Sequence, residues 1–175
     1  MNEQSITQRC GGLTVAWMAF GVLLIGISLT NFLPKKFIWN ASASLPVGLY
    51  KIRDRNPTHG DLVLAKLPEW AGLIADQRGY LPANVPALKR VVAISGDRVC
   101  RIDRVIYVEG TAVAWARSTD RYGRRLPVWS GCVALDESQV LLLADHSKSF
   151  DGRYFGVSKL ADVLGVARPV WIRSE

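Results

Sequence analysis

Histidine and cysteine are scarce in this 175-residue chain, with two histidines, His59 and His146, and three cysteines, Cys10, Cys100 and Cys132. None of them stands at the short Cys/His spacings that zinc sites use, so no metal and no cofactor is expected. Blocks of like charge are missing too. The 22 Lys and Arg residues outnumber the 15 Asp and Glu, giving a net charge of +7, but they are scattered and no nucleic-acid motif accompanies them. Anionic lipid head groups are the simpler partner for such a basic balance, and no nucleic acid is expected. Repeats and low-complexity tracts are absent. Hydrophobic residues make up 49% and charged residues 21%, which excludes disorder by composition. Charge is lacking altogether between Cys10 and Pro34.

That charge-free run is the first positive feature. Its dense part, residues 13–33, reads L-T-V-A-W-M-A-F-G-V-L-L-I-G-I-S-L-T-N-F-L, and a spanning helix needs about 20 predominantly apolar residues. The expected organisation is a short N-terminus over 1–12, a transmembrane anchor over 13–33 and one domain over 34–175. A cleaved signal peptide competes, because Ala41-Ser42-Ala43 has the small-x-small pattern of a cleavage site; cleavage there would leave Ser44 at the new terminus. The run is longer than a signal peptide needs, so a retained anchor is favoured. The flanking charges, Arg9 before it against Lys35 and Lys36 after it, place the domain in the cytoplasm if taken literally. Long domains can translocate against that bias.

Beyond Tyr50 the pattern is β. Alternating apolar residues punctuated by Gly, Pro, Asn and Asp predict strands over 48–53, 61–66, 88–94, 98–102, 105–109, 111–116, 140–144 and 166–172. Residues 70–86 read as an irregular loop or short helix, 117–131 as a basic loop, and a short helix is expected around 158–164. Many short strands at close spacing predict an all-β barrel or sandwich.

Three stretches can carry chemistry. In Ser44-Leu45-Pro46-Val47-Gly48-Leu49-Tyr50, proline and glycine shape the backbone around a hydroxyl. Gly48 permits a turn or a close approach that a side chain would block; a plain turn between strands is the alternative. In Ala87-Leu88-Lys89-Arg90-Val91-Val92-Ala93-Ile94, strand alternation puts Lys89 with Val91 and Ala93, and Arg90 with Leu88, Val92 and Ile94. One cation therefore lies against apolar surface unless both snorkel to solvent. Of the two, lysine is the one that can lose its proton when buried, and a neutral amine near Ser44 could accept the hydroxyl proton. Ser147-Lys148-Ser149-Phe150-Asp151-Gly152-Arg153-Tyr154-Phe155-Gly156 suits a tight loop in which Asp151 and Arg153 pair or cap backbone and a serine orients an amine; a polar surface turn is the alternative. A Ser44/His146 hydrolase with Asp145 is disfavoured, because adjacent residues in an extended chain face opposite ways. If the domain lies outside the cytoplasm, Cys100 and Cys132 can form one disulfide, with Cys10 alone on the reducing side; two buried thiols are the alternative.

In this order, the stretches resemble the boxes of signal peptidase I and its relatives. S-A-S-L-P-V-G-L-Y resembles the membrane-proximal serine box and G-D-L-V-L-A-K-L-P, from Gly60, the strand after it. K-R-V-V-A-I-S-G-D, from Lys89, resembles the lysine box, and S-F-D-G-R-Y-F-G, from Ser149, the last box. Within the family, P-V-G-L-Y, G-R-R-L-P (Gly123 to Pro127) and the last box look like the TraF-type conjugative transfer peptidases. The resemblance implies a mainly β, signal-peptidase-like domain behind one N-terminal transmembrane helix. It implies Ser44 as nucleophile, Lys89 as general base, Ser42 and the Ser44 N–H as oxyanion hole, and Ser149, Asp151 and Arg153 as support. It further implies a membrane-embedded precursor as substrate, conjugation or secretion machinery as partner, and the inner membrane as location, with the N-terminus in the cytoplasm and the catalytic domain in the periplasm. Gly152 stands where many family members carry serine, a swap expected to be harmless in a turn. The runner-up is a non-catalytic, membrane-anchored β scaffold of a mating or secretion complex.

Overall fold

The computed structural model describes residues 14–23, 26, 36–42 and 44–173, in two units, Met1–Lys35 and Lys36–Glu175. In the first, residues 14–23 and 26 are helical, and Val15, Trp17, Met18, Phe20, Val22 and Leu23 all expose their side chains. Among the described residues no helix is long and apolar enough to cross a membrane. The anchor expected over 13–33 falls partly outside the described residues, and the N-terminus expected over 1–12, with Cys10, falls wholly outside them.

The second unit is mainly β. Its strands are β1 (Phe37–Asn40), β2 (Gly48–Arg53), β3 (Leu62–Ala65), β4 (Ala87–Ala93), β5 (Arg98–Ile102), β6 (Val105–Val108), β7 (Thr111–Trp115), β8 (Gly131–Ala134), β9 (Gln139–Leu143), β10 (Ser158–Lys159) and β11 (Val163–Ile172). They form a seven-stranded sheet, ordered β1-β2-β11-β3-β4-β9-β10, and a four-stranded sheet, ordered β7-β6-β5-β8. Every pairing is antiparallel. The β6–β7 hairpin turns on Glu109 and Gly110, both at positive φ, 48° and 76°, the backbone that two-residue hairpin loops require.

Period-two alternation sends one face of each strand inward. Ala93, Leu141 and Leu143 of the larger sheet pack with Val99, Ile106 and Ala114 of the smaller one. Val63, Val91, Val140, Leu142 and Val166 form a second cluster within the larger sheet. A third gathers Leu45, Tyr50, Leu64, Leu88 and Ala167. Cys100 and Cys132 face each other across β5 and β8 and are disulfide-bonded.

Three local expectations need correction. The helix expected around 158–164 is instead β10 followed by a 3-10 turn, Leu160–Asp162; Ser158 pairs with Val140, so sheet edge pairing overrides a short helical pattern. Two strands, β1 and β8, were not expected. The 70–86 stretch needs none: read as an irregular loop or short helix, it contains a helix, Glu69–Gln77, which buries Ala71 and Ala75 one turn apart. A further helix, Gly152–Phe155, replaces the turn expected there.

Candidate active site

The site is assembled from the β1–β2 loop, β4 and the segment after β9. Asn40 pairs with Gly48, which closes the loop that carries Ser42 and residues 44–47. Leu45 is its anchor, 3% exposed and packed with Leu88, the neighbour of Lys89 on β4. The Tyr50 hydroxyl donates to the Pro46 carbonyl at 2.7 Å. At Gly48 the close-approach reading holds: an added Cβ would lie 2.2 Å from the Trp171 carbonyl oxygen of β11, so no side chain fits.

Ser44 sits at the turn of this loop, half-buried. Its Oγ lies 2.8 Å from the exposed Ser42 Oγ. Its N–H donates to the same Ser42 oxygen at 3.3 Å. Its carbonyl accepts the His146 N–H at 3.4 Å.

Lys89 and Arg90 part as alternation requires. Lys89 is buried with Val91 and Ala93. Arg90 goes to the other side, where its Nε and Nη2 each lie 2.7 Å from an Asp145 oxygen and Nη1 donates to the Gly60 carbonyl. That guanidinium holds the Asp145 carboxyl below its ordinary value. The Lys89 Nζ donates to the Phe150 carbonyl at 3.0 Å. Burial pushes its pKa below the usual lysine value; Asp151 works against that shift and Arg153 adds to it. Desolvation penalises the ammonium form because the charge loses its hydration shell.

The segment from Asp145 to Phe155 is a polar brace. Fully buried Asp151 accepts from the Ala144 N–H at 2.8 Å, the Arg153 N–H at 3.0 Å and the Arg153 Nη1 at 2.6 Å. It is the N-cap of the Gly152–Phe155 helix. Burial raises the Asp151 pKa, opposed by Lys89 and Arg153. Arg153 also reaches the Ala144 carbonyl at 3.0 Å and the His146 carbonyl at 3.4 Å, and Arg101 grips the Arg153 carbonyl at 2.6 Å. The Phe150 ring is walled by Tyr80, Tyr154 and Phe155, at centroid distances of 5.4, 5.8 and 5.7 Å.

Ser42 and Ser44 are therefore in contact, Asp151 and Arg153 are paired, and Ser149 lies beside Phe150. No hydrogen bond joins the Ser44 Oγ to the Lys89 Nζ. Ser149 Oγ is buried with no hydrogen-bond partner among the described residues, so it makes no bond to Lys89. Ser44 and Lys89 are instead held by one segment: His146 on the Ser44 carbonyl, Phe150 on the Lys89 amine. His146 Nδ1 accepts the Lys148 N–H at 3.1 Å, while Asp145 is taken by Arg90, which leaves no Asp145–His146 relay. Gly152 is not in a free turn, as a Cβ there would lie 2.8 Å from the Leu142 carbonyl oxygen and 2.9 Å from Leu141. Sequence reading assigned no role to Asn40, whose side chain binds Ser42, Leu45 and Pro46; an Asn ahead of a small, polar, Pro-containing stretch was the available signal. A hydroxyl and a buried amine whose pKa desolvation lowers, tied to one segment, are the kinds of group that nucleophilic catalysis uses.

The family described as "Signal peptidase, peptidase S26" matches residues 12–172. A plasmid transfer protein TraF of Escherichia coli is 34% identical over 143 residues, covering 75% of this chain and 80% of that protein. A conjugal transfer protein TraF of Agrobacterium fabrum is 34% identical over 143 residues with the same coverage, 75% and 80%. The crystal structure of a signal peptidase I from Enterococcus faecalis aligns with a TM-score of 0.37 and 20% identity, over 64% of this chain and 97% of that one.

Proposed function

The chain belongs to the signal peptidase, peptidase S26 family, and from that premise we propose that it is a membrane-anchored serine endopeptidase working through a Ser44/Lys89 dyad. The observation that carries this reading is the placement of Lys89, an amine of β4 buried in the core and bonded to the segment that also holds the Ser44 carbonyl; desolvation there lowers its pKa.

The steps follow from the groups present. Substrate entry displaces the Ser42–Ser44 hydrogen bond, and Ser44 Oγ turns to the neutral Lys89 Nζ. Catalytic hydrogen bonds are often long or misaligned before substrate binds. The amine takes the hydroxyl proton as Oγ attacks the scissile carbonyl carbon, then gives that proton to the leaving amine. Water then attacks the acyl–serine carbonyl and loses its proton to the same lysine, which returns that proton to Ser44 Oγ as the ester bond breaks and the new carboxyl end leaves. The Ser44 N–H and the Ser42 hydroxyl, bound to each other at rest, turn to the developing oxyanion; one such donor is typically worth about 10²–10³ in rate. Ser149 Oγ, buried and unpartnered, is available to orient the amine. Asp151 and Arg153 keep that segment rigid.

The substrate in this reading is a membrane-embedded precursor, of signal-peptide or propilin type, with small residues before the cut, and the setting is conjugative transfer. Two of the relatives above are named for plasmid or conjugal transfer. Acyl transfer to the substrate's own amine, giving a cyclic product, needs the same dyad. The anchor over 13–33 is supported by its charge-free sequence and by the exposed apolar side chains of the described helix. The Cys100–Cys132 disulfide supports a domain in an oxidising compartment such as the periplasm; C-terminal reporter fusions test that topology.

The test is co-expression with small membrane precursors, reading product masses by spectrometry. The wild type is expected to shorten a precursor, and Ser44→Ala and Lys89→Ala each to leave it at full length while still folding and inserting. Continued cleavage by the Ser44→Ala protein rejects the dyad, and a wild type that cuts no precursor favours the scaffold.

A further inference from the structure

Asn40 ends β1, yet its side chain turns into the loop that bears Ser44. Its Nδ2 donates towards the Ser42 carbonyl at 3.0 Å, the Leu45 carbonyl at 3.1 Å and the Pro46 carbonyl at 3.0 Å. Its Oδ1 accepts the Ser42 N–H at 3.1 Å. One carboxamide thus binds the backbone two residues before Ser44 and two residues after it. Two amide hydrogens serve three carbonyls, so the donor end is fully used, and the acceptor end is used as well.

Little else restrains this loop. The Asn40–Gly48 backbone pairing fixes only its ends. Leu45 is anchored by burial, Pro46 by Tyr50 and Val47 by the Arg173 N–H; among the described residues, Ser42 and Ser44 are held, Asn40 apart, by their mutual contacts and the long His146 bond to the Ser44 carbonyl. The Ser42–Ser44 contacts are the ones an incoming carbonyl has to break. When they break, Asn40 is what still ties Ser42 to the far side of the loop.

We propose, on the reading of Ser44 as nucleophile, that Asn40 is a positioning residue. Its carboxamide fixes the backbone from Ser42 to Pro46, so that the Ser44 Oγ and N–H and the Ser42 hydroxyl converge on the scissile carbonyl after the resting contact is lost. Asn40 touches no reacting atom. Misplacing a reacting group by about 1 Å can lower a rate by about 10²-fold. The side chain has to donate and accept at once. Alanine removes both functions. Aspartate keeps the shape but turns a carboxylate towards three carbonyl oxygens.

The experiment uses the full-length chain in detergent micelles and the precursor found to be cut on co-expression. kcat and KM are measured per folded molecule for the wild type, Asn40→Ala, Asn40→Asp and Ser44→Ala. The expected result is a fall in kcat of about 10–100-fold for both Asn40 variants, KM within about twofold of wild type, and an acid limb of the pH–rate profile that does not move, because Asn40 makes no contact with Lys89. Wild-type kcat in either folded Asn40 variant overturns the proposal. So does failure of both variants to fold, which would make Asn40 a structural residue. Cleavage by Ser44→Ala, or no cleavage by the wild type, overturns the underlying reading instead, and is told apart from the first two outcomes by that control.

Discussion

Lys89 is the residue whose placement and chemistry pull against each other. Burial lowers its pKa, so the folded protein binds that proton less tightly than the unfolded chain does. Native stability is therefore lost as pH falls from the unfolded lysine value, about 10.4, through the folded one, and the full penalty stands below the folded value. Lys89→Met removes the charge and keeps most of the volume. This variant is expected to be inactive yet to melt at or above the wild-type temperature at neutral pH, with the gap narrowing as pH rises towards 10; thermal melts in micelles across that range check it. A gap that widens with pH would mean that the folded amine holds its proton more tightly than free lysine. Much of this was legible beforehand: alternation along 88–94 put Lys89 with Val91 and Ala93, and all three are buried. Its present partner was not legible. Whether a buried Nζ turns to Ser149, Ser44 or the Phe150 carbonyl depends on loop geometry that residue spacing does not encode.

At the scale of elements, the two glycines beside the site have different histories. Gly48 was expected to permit a turn or a close approach, and it lies against the β11 backbone. Gly152 looked exchangeable for serine, because S-F-D-G-R-Y reads locally as an exposed turn. It is instead the first residue of a buried helix capped by Asp151, pressed on Leu141 and Leu142. Gly152→Ser is accordingly expected to destabilise the domain by about 1–3 kcal/mol, the usual range for overpacking, read as a lower denaturant midpoint with unchanged slope; an unchanged midpoint would show that the helix can shift aside. Strands with clean alternation, β2 and β5 among them, were legible to the residue. β1 was hidden because F-I-W-N is four residues long, cut off from the apolar run by Pro34, Lys35 and Lys36, and only its pairing with β2 makes it a strand. β8 was hidden at the end of a loop rich in Gly, Pro and Arg, where only its pairing with β5 makes it a strand.

Over the whole molecule, the mainly β character followed from strand spacing, whereas the division into seven and four strands depends on long-range pairing that no local pattern carries. The disulfide links two neighbouring strands of the smaller sheet across a sequence separation of 32. By loop-closure entropy, such a link is worth about 3–4 kcal/mol. Reduction, or Cys100→Ala with Cys132→Ala, is expected to lower the melting temperature while leaving Ser44, Lys89 and the 145–155 segment assembled. Cleavage at low temperature should survive in the double variant, and its complete loss there would tie the smaller sheet to catalysis.

The central claim is that Lys89, held by the segment that also holds Ser44, gives up its proton more readily than a free lysine, and an NMR titration of lysine-labelled protein, with the Lys89 signal assigned by its absence in Lys89→Met, tests it most directly. The account predicts that Lys89 titrates clearly below the free-lysine value of about 10.4 and that its midpoint coincides with the acid limb of kcat. A Lys89 signal that titrates together with the exposed lysines would contradict it.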